Sequence, residues 1–490
     1  MPKKKVAVVG AGIGGLTAAA LLAKEDYEVT VFEQAMVAGG CASTFRRRQF
    51  VFDVGATQVA GLEPGGIHNR IFQLLAVPLP EATICDPACA VFLPQETTPV
   101  NVWHDRVKWH QERNKQFPGS ELFWQFLQDL FERSWRFQVR DPVLPPRNLW
   151  DLQQLLQALR WDTVGTMPYI FCTVGDALRG FGLHNDRRLR TFLDLQLKLY
   201  SQVNAEETAL LYAATTLAVS QAPLGLFHLQ GSMQVLSDRL LFALAKYGGK
   251  IKYRHRVKEI KPGKKLTLTI QQGQSFVEAE FDYVVANVTV QNLVRLLQLS
   301  PKHGYRQRVE SLPNPWGAFV VYLGVKEAAV PADCPPHLQL LDSYDTDRSL
   351  FVSVSKPGDG RAPLGRRTII ASEFTPIDLW QEVADYQEQK AFFTQRAIKQ
   401  LNQFFNLEGN IVHVEAATPR TFLRYTDRWA GIVGGVGMRV NTFGPFAFAN
   451  RTPWEGLWLV GDSTHPGEGT AGVSYSAWTT FRQILAQDKR

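Results

Sequence analysis

Glycines and one carboxylate near the start of the chain have the types and spacing of a dinucleotide site. The turn reads Gly10-Ala11-Gly12-Ile-Gly-Gly15, and Glu33 follows near the roughly 20-residue offset at which an acid accepts hydrogen bonds from a ribose. The first glycine allows a tight turn, the second lets backbone approach a diphosphate, and the third lets the next helix pack on the strand. Because a carboxylate repels a 2′-phosphate, the pattern disfavours NADP.

The segments around this turn have the character that a nucleotide fold requires. Residues 6–9 are a short, wholly apolar run typical of a buried parallel strand, and residues 16–23 are strong helix formers. Residues 28–32 form a second predicted strand that ends at Glu33. The glycine pattern alone is a weak signal, and its alternative is a glycine-rich turn that binds nothing. The strand, helix, strand and acid together favour dinucleotide binding.

The composition is that of an ordinary globular protein, long enough for two or three domains. Of the 490 residues, 45% are hydrophobic and 20% are charged, which suffices for a large core. The net charge of +7 would admit nucleic acid or anionic lipid as partners. However, the sequence contains no zinc-finger array, RNP motif or dense basic helix, so nucleic acid is not expected as a partner.

Cysteine usage and the amino-terminal residues predict a cytoplasmic protein. Five cysteines are too few, and odd in number, for a disulfide framework in a chain of this length. Residues 3–5 are lysines, but no apolar segment of signal-peptide type follows them. No apolar run in the sequence approaches the roughly 18 residues that span a bilayer. Any membrane association is therefore expected to be peripheral.

Four residues nearly reproduce the spacing of a zinc site with two cysteines and two histidines, namely Cys85, Cys89, His104 and His110. Residues 90–93 and 100–103 look like strands, whereas a zinc finger places a helix before its histidines. The sequence therefore favours a small hairpin, and no metal is expected.

A second glycine turn follows Glu33. Gly39-Gly40 is followed by Cys41, and Gly55-Ala56 lies in the next turn. This segment resembles the glycine-doublet region of the amine-oxidase and phytoene-desaturase flavoproteins. The resemblance implies that the doublet extends the diphosphate contact and that the Gly55-Ala56 turn passes beside the isoalloxazine ring. Many relatives carry arginine where this chain has Cys41, and the three arginines at 46–48 are more simply interpreted as a solvated turn than as its replacement.

The carboxyl-terminal segment contains a second signature of a flavin site. An apolar predicted strand ends at Gly461-Asp462, and Gly472-Val473 opens the last predicted helix. The amino terminus of a helix stabilises negative charge on a reduced flavin ring. In the flavoproteins named above, the Asp of such a pair binds the ribityl or diphosphate region, which implies that role for Asp462. A simple NAD fold does not need this second segment, so FAD is the expected cofactor.

The resemblance extends along essentially the whole chain and narrows the expected substrate. The segments that look like those of carotenoid desaturases and carotenoid isomerases are residues 418–421, 424–426, 431–435 and 464–469. The segments most similar to the C-3′,4′ carotenoid desaturases are residues 41–45, 55–66 and 117–121. Those enzymes act on γ-carotene-type or 1′-hydroxylated monocyclic carotenoids, which implies a carotenoid substrate. The resemblance also implies that the backbone of Val257 contacts adenine.

The expected fold class is α/β, with a Rossmann-type FAD-binding domain of the amine-oxidase (GR2) kind and an inserted mixed-sheet substrate domain. A helical subdomain completes the prediction. The predicted limits are residues 1–66, 225–300 and 416–490 for the FAD-binding domain, 67–113 and 301–415 for the substrate domain, and 114–224 for the helical subdomain.

Aromatic residues with a basic rim make the helical subdomain a candidate for membrane contact, for which Phe123, Phe126 and Trp150 are the test positions. The simpler alternative is a helical subdomain that packs on itself. Its first helix is predicted to begin after Ser120 as the cap, with Trp124 off the apolar face. That face is predicted to consist of Leu122, Phe123, Phe126, Leu127, Leu130 and Phe131.

The reaction implied by the resemblance removes a hydride from one carbon and a proton from its neighbour. The flavin carries the hydride step, so the chain must hold the substrate and receive the proton. Glu468 and His465 are the candidate bases, because both are titratable and lie just before the last helix. The simpler interpretation of both is hydrogen bonding within their loop. Quinone or oxygen is the expected electron acceptor, because no nicotinamide site is evident.

Three other functions share parts of this pattern. A carotene cis–trans isomerase that uses reduced FAD would share every motif. An amine oxidase would share the FAD segments but needs a covalent-flavin cysteine or an aromatic cage, for which Trp429 and Tyr475 are weak candidates. A prenyl-protein escort protein would share the fold without redox chemistry, but the complete phosphate turn, Glu33 and Asp462 argue against it.

Overall fold

The apolar run after the first lysines becomes the central strand of a parallel sheet. The structure is a computed structural model that describes residues 3–346, 348–381 and 384–489. Its strands are β1 (Lys5–Val9), β2 (Glu28–Glu33), β3 (Thr44–Arg47), β4 (Phe50–Asp53), β5 (Val59–Ala60), β6 (Ala82–Ile84), β7 (Cys89–Phe92), β8 (Val100–Val102), β9 (Leu226–Leu229), β10 (Lys250–Tyr253), β11 (His255–Lys261), β12 (Leu266–Gln272), β13 (Ser275–Phe281), β14 (Tyr283–Ala286), β15 (Trp316–Lys326), β16 (His337–Leu341), β17 (Ser349–Val354), β18 (Arg366–Pro376), β19 (Ile411–Ala417) and β20 (Leu457–Leu459).

Helices cover the sheets and build a separate layer between residues 106 and 218. The α-helices are α1 (Ile13–Lys24), α2 (Ile67–Leu75), α3 (Arg106–Gln116), α4 (Glu121–Gln138), α5 (Leu149–Ala158), α6 (Trp161–Val164), α7 (Val174–Gly180), α8 (Arg187–Ser201), α9 (Leu210–Ala218), α10 (Gln234–Lys246), α11 (Val290–Leu296), α12 (Gly304–Glu310), α13 (Asp378–Gln381), α14 (Tyr386–Leu401), α15 (Pro419–Thr426) and α16 (Thr470–Asp488). Short 3₁₀ turns lie at Gly40–Ala42, Met167–Phe171, Glu327–Ala329, Trp429–Gly431 and Gly444–Phe446.

The central sheet has five parallel strands in the order β10-β2-β1-β14-β20. Both faces of β1 are buried, which explains why its sequence is continuously apolar rather than alternating. Helix α1 is buried from Ile13 to Ala23 and packs against α10 and α16. The carboxyl ends of the parallel strands therefore meet at one edge, where ligands bind in folds of this kind.

A second, seven-stranded sheet has the order β19-β15-β18-β17-β16-β7-β8. It is mixed, because β16 pairs with β7 in parallel while its other pairs are antiparallel. The predicted fold class, a Rossmann-type domain with a mixed-sheet insertion, is thereby confirmed. Strand β19 crosses the predicted domain limit at residue 415, and the limits themselves stay a prediction.

The prediction for helix α4 is wrong in part. Leu122, placed on the apolar face, is 68% exposed, whereas Trp124, placed off it, is 4% exposed. Trp124 is buried because its ring packs edge-on against Trp109 and its Nε1 donates to Ser120 Oγ at 3.1 Å. The Ser120 hydroxyl donates to the Phe117 carbonyl and does not cap the helix through its side chain.

The burial of α4 contradicts Phe123 as one of the predicted membrane-contact residues, whereas membrane contact of the helical subdomain stays a prediction. Phe123 is fully buried in the core of the helical layer, and Phe126 packs partly buried against that core. A side chain held in this core cannot reach a bilayer, so Phe123 is not a membrane contact. Within the described ranges, no helix combines the length and the apolar character that crossing a bilayer requires.

The segment considered as a zinc site forms a hairpin of strands β7 and β8. Cys89 lies opposite Val102 in this antiparallel pair, and burial raises the pKa of its thiol to about 12. In the described part of the chain, no group of three or more histidine, cysteine or acidic side chains is placed to hold a metal ion.

Candidate cofactor and substrate site

One cavity of about 1720 Å³ runs from the glycine turns of the parallel sheet to the helical layer. Ordinary small-molecule sites have volumes of roughly 300–1,000 Å³. This cavity therefore has room for a large cofactor together with a second molecule.

At its inner end the two glycine turns lie directly against each other. The Gly39 N–H donates to the Ala11 carbonyl at 2.8 Å, and Gly12 forms a bridge with Gly39. A Cβ at Gly15 would come within 2.2 Å of the Gly10 carbonyl oxygen, so a side chain there would force the helix away from the turn. The predicted close packing of turn and helix is present.

Glu33 lies at the end of β2 on the cavity wall and is almost completely buried. One carboxylate oxygen accepts the Ala11 N–H at 2.8 Å, and the other accepts the Ala35 N–H at 2.8 Å. Burial raises the pKa of Glu33, and the backbone donors oppose that rise. The carboxylate is thus held in place beside the first glycine turn, where an acceptor for ribose hydroxyls is expected.

Asn287, which the sequence analysis did not single out, packs against the glycine turn. It follows β14, and its Nδ2 donates to the Gly10 carbonyl at 3.4 Å. A Cβ at Gly12 would lie 2.8 Å from that same nitrogen. The signal was available in the sequence, because a polar residue directly after a buried parallel strand lies at the edge where ligands bind.

Arg428 and Asp462 form an ion pair in the cavity wall. Arg428 Nη2 lies 2.8 Å from Asp462 Oδ2, and both side chains are largely buried. The guanidinium also donates to the carbonyls of Ile432, at 2.9 Å, and Gly434. Its charge reaches the thiol of Cys41, where it opposes the rise in pKa that burial causes. Arg428 was not predicted as a site residue.

Glu468 lies against the predicted glycine segment at 431–435. A Cβ at Gly434 would come within 2.1 Å of Glu468 Oε2, and Gln202 Nε2 donates to that oxygen at 3.0 Å. Among the described residues, Glu468 Oε1 is buried and has no hydrogen-bond partner. Burial is the main cause that raises the pKa of Glu468, to about 8. At neutral pH this carboxyl group is therefore mostly protonated.

His465 also lines the cavity, but its environment lowers its pKa, whereas that of Glu468 is raised. Its Nε2 lies 3.2 Å from Gln138 Oε1, and burial lowers the pKa of the imidazole to about 4. His465 is therefore neutral at physiological pH and a weak base. The two candidate bases thus share one wall, and Glu468 has the pKa nearer to physiological pH.

Most of the other predicted site residues lie on the same cavity wall. Helix α16 begins at Thr470, two residues before the predicted start. The predicted cofactor residues that line the cavity are Gly10, Gly12, Glu33, Gly39, Gly40, Cys41, Gly55, Ala56, Val257, Gly461, Asp462, Gly472 and Val473. Ala11 and Gly15 lie behind this wall and support it through the contacts given above. Of the two cage candidates, Tyr475 is buried on the wall and Trp429 is half exposed away from it.

At the outer end, short helices present apolar side chains both to the cavity and to solvent. Leu155 and Leu159 line the cavity, while neighbouring side chains of the same segment point outward. Met167 and Phe171 do both, since they line the cavity and are exposed. We call the exposed set the apolar rim, which consists of Leu149, Leu152, Leu156, Trp161, Met167 and Phe171.

The fold and the inner end of the cavity define a flavoprotein. Residues 13–485 match the family model for flavin containing amine oxidoreductases, so the chain belongs to that family. The predicted cofactor, FAD, and the predicted class of enzyme, an FAD-dependent oxidoreductase, are confirmed. The glycine turns, the buried Glu33 carboxylate and the size of the cavity fit this cofactor.

Individual relatives place the chain near enzymes of carotenoid metabolism. It is 26% identical to the chloroplastic prolycopene isomerase of Daucus carota over 98% of this chain and 79% of that protein. It is 25% identical to the zeta-carotene-forming phytoene desaturase of Myxococcus xanthus over 98% of this chain and 94% of the relative. The resemblance to carotenoid desaturases and isomerases is therefore confirmed.

Solved structures agree with the fold. The cyclohexylamine oxidase of Brevibacterium oxydans IH-35A superposes with a TM-score of 0.64 at 16% sequence identity, covering all of both chains.

Proposed function

We propose that this protein is an FAD-dependent C-3′,4′ carotenoid desaturase. Its substrate is the acyclic end of a monocyclic carotenoid, such as γ-carotene or a 1′-hydroxy derivative. The observation that carries the proposal is the single cavity that joins the glycine turns to the apolar rim. A long polyene requires such a continuous space with one end at the cofactor and the remainder among apolar side chains. The relatives that act on phytoene and prolycopene support the same substrate class.

When bound, FAD supplies the two-electron acceptor for the oxidation. The chain itself must hold the polyene, exclude water and accept the proton that leaves the neighbouring carbon. Glu468 is the better proton acceptor of the two candidates, because its pKa of about 8 lies nearer to physiological pH than the pKa of His465. The resulting double bond extends the conjugated system by one unit.

Expression in a bacterium that makes monocyclic or acyclic carotenoids tests the proposal. We expect a product lighter by two hydrogens than its precursor, with absorption at longer wavelength. A variant with Glu33→Arg, which removes the ribose acceptor, serves as the inactive control. A folded, FAD-containing enzyme that leaves every carotenoid unchanged would contradict the proposal.

A carotene cis–trans isomerase is the second candidate function. Prolycopene isomerases of Daucus carota, Arabidopsis thaliana and an Oncidium hybrid match 98% of this chain, which favours this alternative. The same experiment separates the two reactions. An unchanged product mass, with only a cis-to-trans shift in the spectrum, would identify the isomerase.

We also propose that the apolar rim contacts the surface of a membrane, from which the substrate enters. Trp161 is 94% exposed and Leu149 is 81% exposed, although both are large apolar side chains. Arg147 and Arg160 flank the rim and are exposed, which suits the anionic headgroups of lipids. This rim replaces the buried Phe123 as the predicted site of peripheral association. A cytoplasmic location and a quinone or oxygen as electron acceptor stay predictions.

A further inference from the structure

We propose that Arg428 is the side chain that neutralises the diphosphate of FAD in this protein. It would thereby replace the arginine that many relatives carry after the glycine doublet, where this chain has Cys41. The inference rests on FAD as the cofactor and does not depend on which carotenoid is oxidised.

Arg428 lines the same cavity as the two segments that a diphosphate must pass, the glycine doublet and the turn at Asp462. Cys41, which directly follows Gly40, lines this cavity too, and the charge of Arg428 opposes the rise in the pKa of its thiol. A Cβ at Gly40 would lie 3.5 Å from the Cα of Gly12, so the doublet and the first glycine turn are in contact. Arg428 is also paired with Asp462, which follows the last parallel strand, β20, by three residues.

The other arginines of the cavity wall have their partners in segments other than the glycine doublet and the Asp462 turn. Arg256 and Arg295 both pair with Asp427, whose charge acts on Glu33 at the predicted ribose end. Arg47 pairs with Glu415. Arg424 is exposed and lies over the ring of Tyr425. Among these arginines, Arg428 is the one whose charge acts on Cys41, the residue that follows the glycine doublet.

Electrostatics explains why a cation is needed at this position. The amino terminus of α1 offers a partial positive charge of only about half a unit, whereas a diphosphate carries two negative charges. Asp462 alone would add a further negative charge to the same wall. Because Arg428 pairs with Asp462, it removes that repulsion and leaves the guanidinium beside the diphosphate path.

The test compares two flavins that differ in the diphosphate. Apo-protein is titrated with FAD and with riboflavin, and the ratio of their dissociation constants is measured by flavin fluorescence. We expect Arg428→Gln to reduce the preference for FAD by about tenfold to a hundredfold, as the loss of a charge-assisted contact predicts. Arg424→Gln is the matched control and should leave the preference unchanged.

A rescue variant makes the test more specific. Cys41→Arg combined with Arg428→Gln restores an arginine at the position used by relatives, so the preference for FAD should recover. The proposal is overturned if the folded Arg428→Gln protein keeps its full preference for FAD over riboflavin. It is also overturned if the variant binds both flavins more weakly by the same factor. Absence of recovery in a folded double variant would likewise show that the two positions do not serve the same phosphates.

Loss of folding in Arg428→Gln is addressed by removing both charges. The variant Arg428→Gln with Asp462→Asn leaves no unpaired buried charge, and circular dichroism reports whether it folds. A reduced preference for FAD over riboflavin in this variant supports the proposal, and an unchanged preference overturns it. A wild-type protein that binds FAD but oxidises no carotenoid would contradict the proposed function without affecting this inference.

Discussion

The two ends of the cavity are built on opposite principles. At the inner end, backbone atoms and charges are fixed by contacts at hydrogen-bond distance, as at Glu33 and at the Arg428–Asp462 pair. At the outer end, the apolar rim consists of exposed side chains on short helices and a 3₁₀ turn. A cofactor that stays bound requires fixed polar partners, whereas a long apolar substrate that enters and leaves requires area without directional bonds. One cavity therefore serves both requirements.

The largest effect is expected where the inner end depends on a single carboxylate. Glu33→Arg removes an acceptor that holds the Ala11 and Ala35 N–H groups and introduces a charge of opposite sign. We expect FAD to bind more than a hundredfold more weakly, which corresponds to about 3 kcal/mol. Fluorescence titration measures this loss, and Glu28→Arg, an exposed change in the same strand, is the control. Equal flavin content in both purified variants would refute the assignment of the ribose site.

The outer end is tested by replacing part of the apolar rim. Leu149, Trp161 and Phe171 changed together to serine should weaken binding to vesicles of anionic lipid roughly tenfold to a hundredfold, because three apolar side chains no longer enter the bilayer. Vesicle flotation measures the effect. The matched control changes Phe276, Leu364 and Phe392 to serine, which are exposed apolar side chains that do not line the cavity. If both triple variants float equally, the rim is not the membrane contact.

The smallest effect is expected at the wall between the two ends. Glu468 is mostly protonated below its pKa of about 8, so its capacity to accept a proton increases as the pH rises through that value. Activity should therefore rise between about pH 7 and 9. Glu468→Gln should abolish this rise and lower the rate at pH 9 by roughly tenfold. The loss is expected to be no larger because the proton that leaves a polyene cation is acidic and does not require a strong base. His465→Gln should keep the rise, and identical profiles for the two variants would exclude Glu468 as the base.

The two ends also differed in how far sequence predicted them. Gly12, Glu33 and Gly39 belong to local patterns whose spacing follows from strand and helix geometry, so the sequence could place them in turns and at a strand end. Their contact with the cofactor stays a prediction. Arg428 pairs with Asp462, and Asn287 packs on Gly10. These contacts join segments that are far apart in the sequence, so no periodic pattern of residues predicts them.

In the helical layer, the spacing of apolar residues did not predict which helix faces are buried. The repeat in α4 indicates an apolar face but not what covers it, and Trp124 is buried because α3 places Trp109 beside it. The exposed leucines of α5 have a similar repeat, yet neighbouring elements leave them uncovered. Burial of a helix face is therefore a property of its neighbours.

Helix α5 separates the cavity from the outer surface of the protein. Leu155 lines the cavity and Leu156 faces outward, so the wall between the cavity and the outer surface is a single helix thick. If the apolar rim lies on a membrane, as proposed, a carotenoid can enter across this wall without passing through water, and its supply depends on its mole fraction in the bilayer. Turnover should thus follow surface-dilution kinetics, in which added lipid slows the reaction although the total amount of carotenoid is constant.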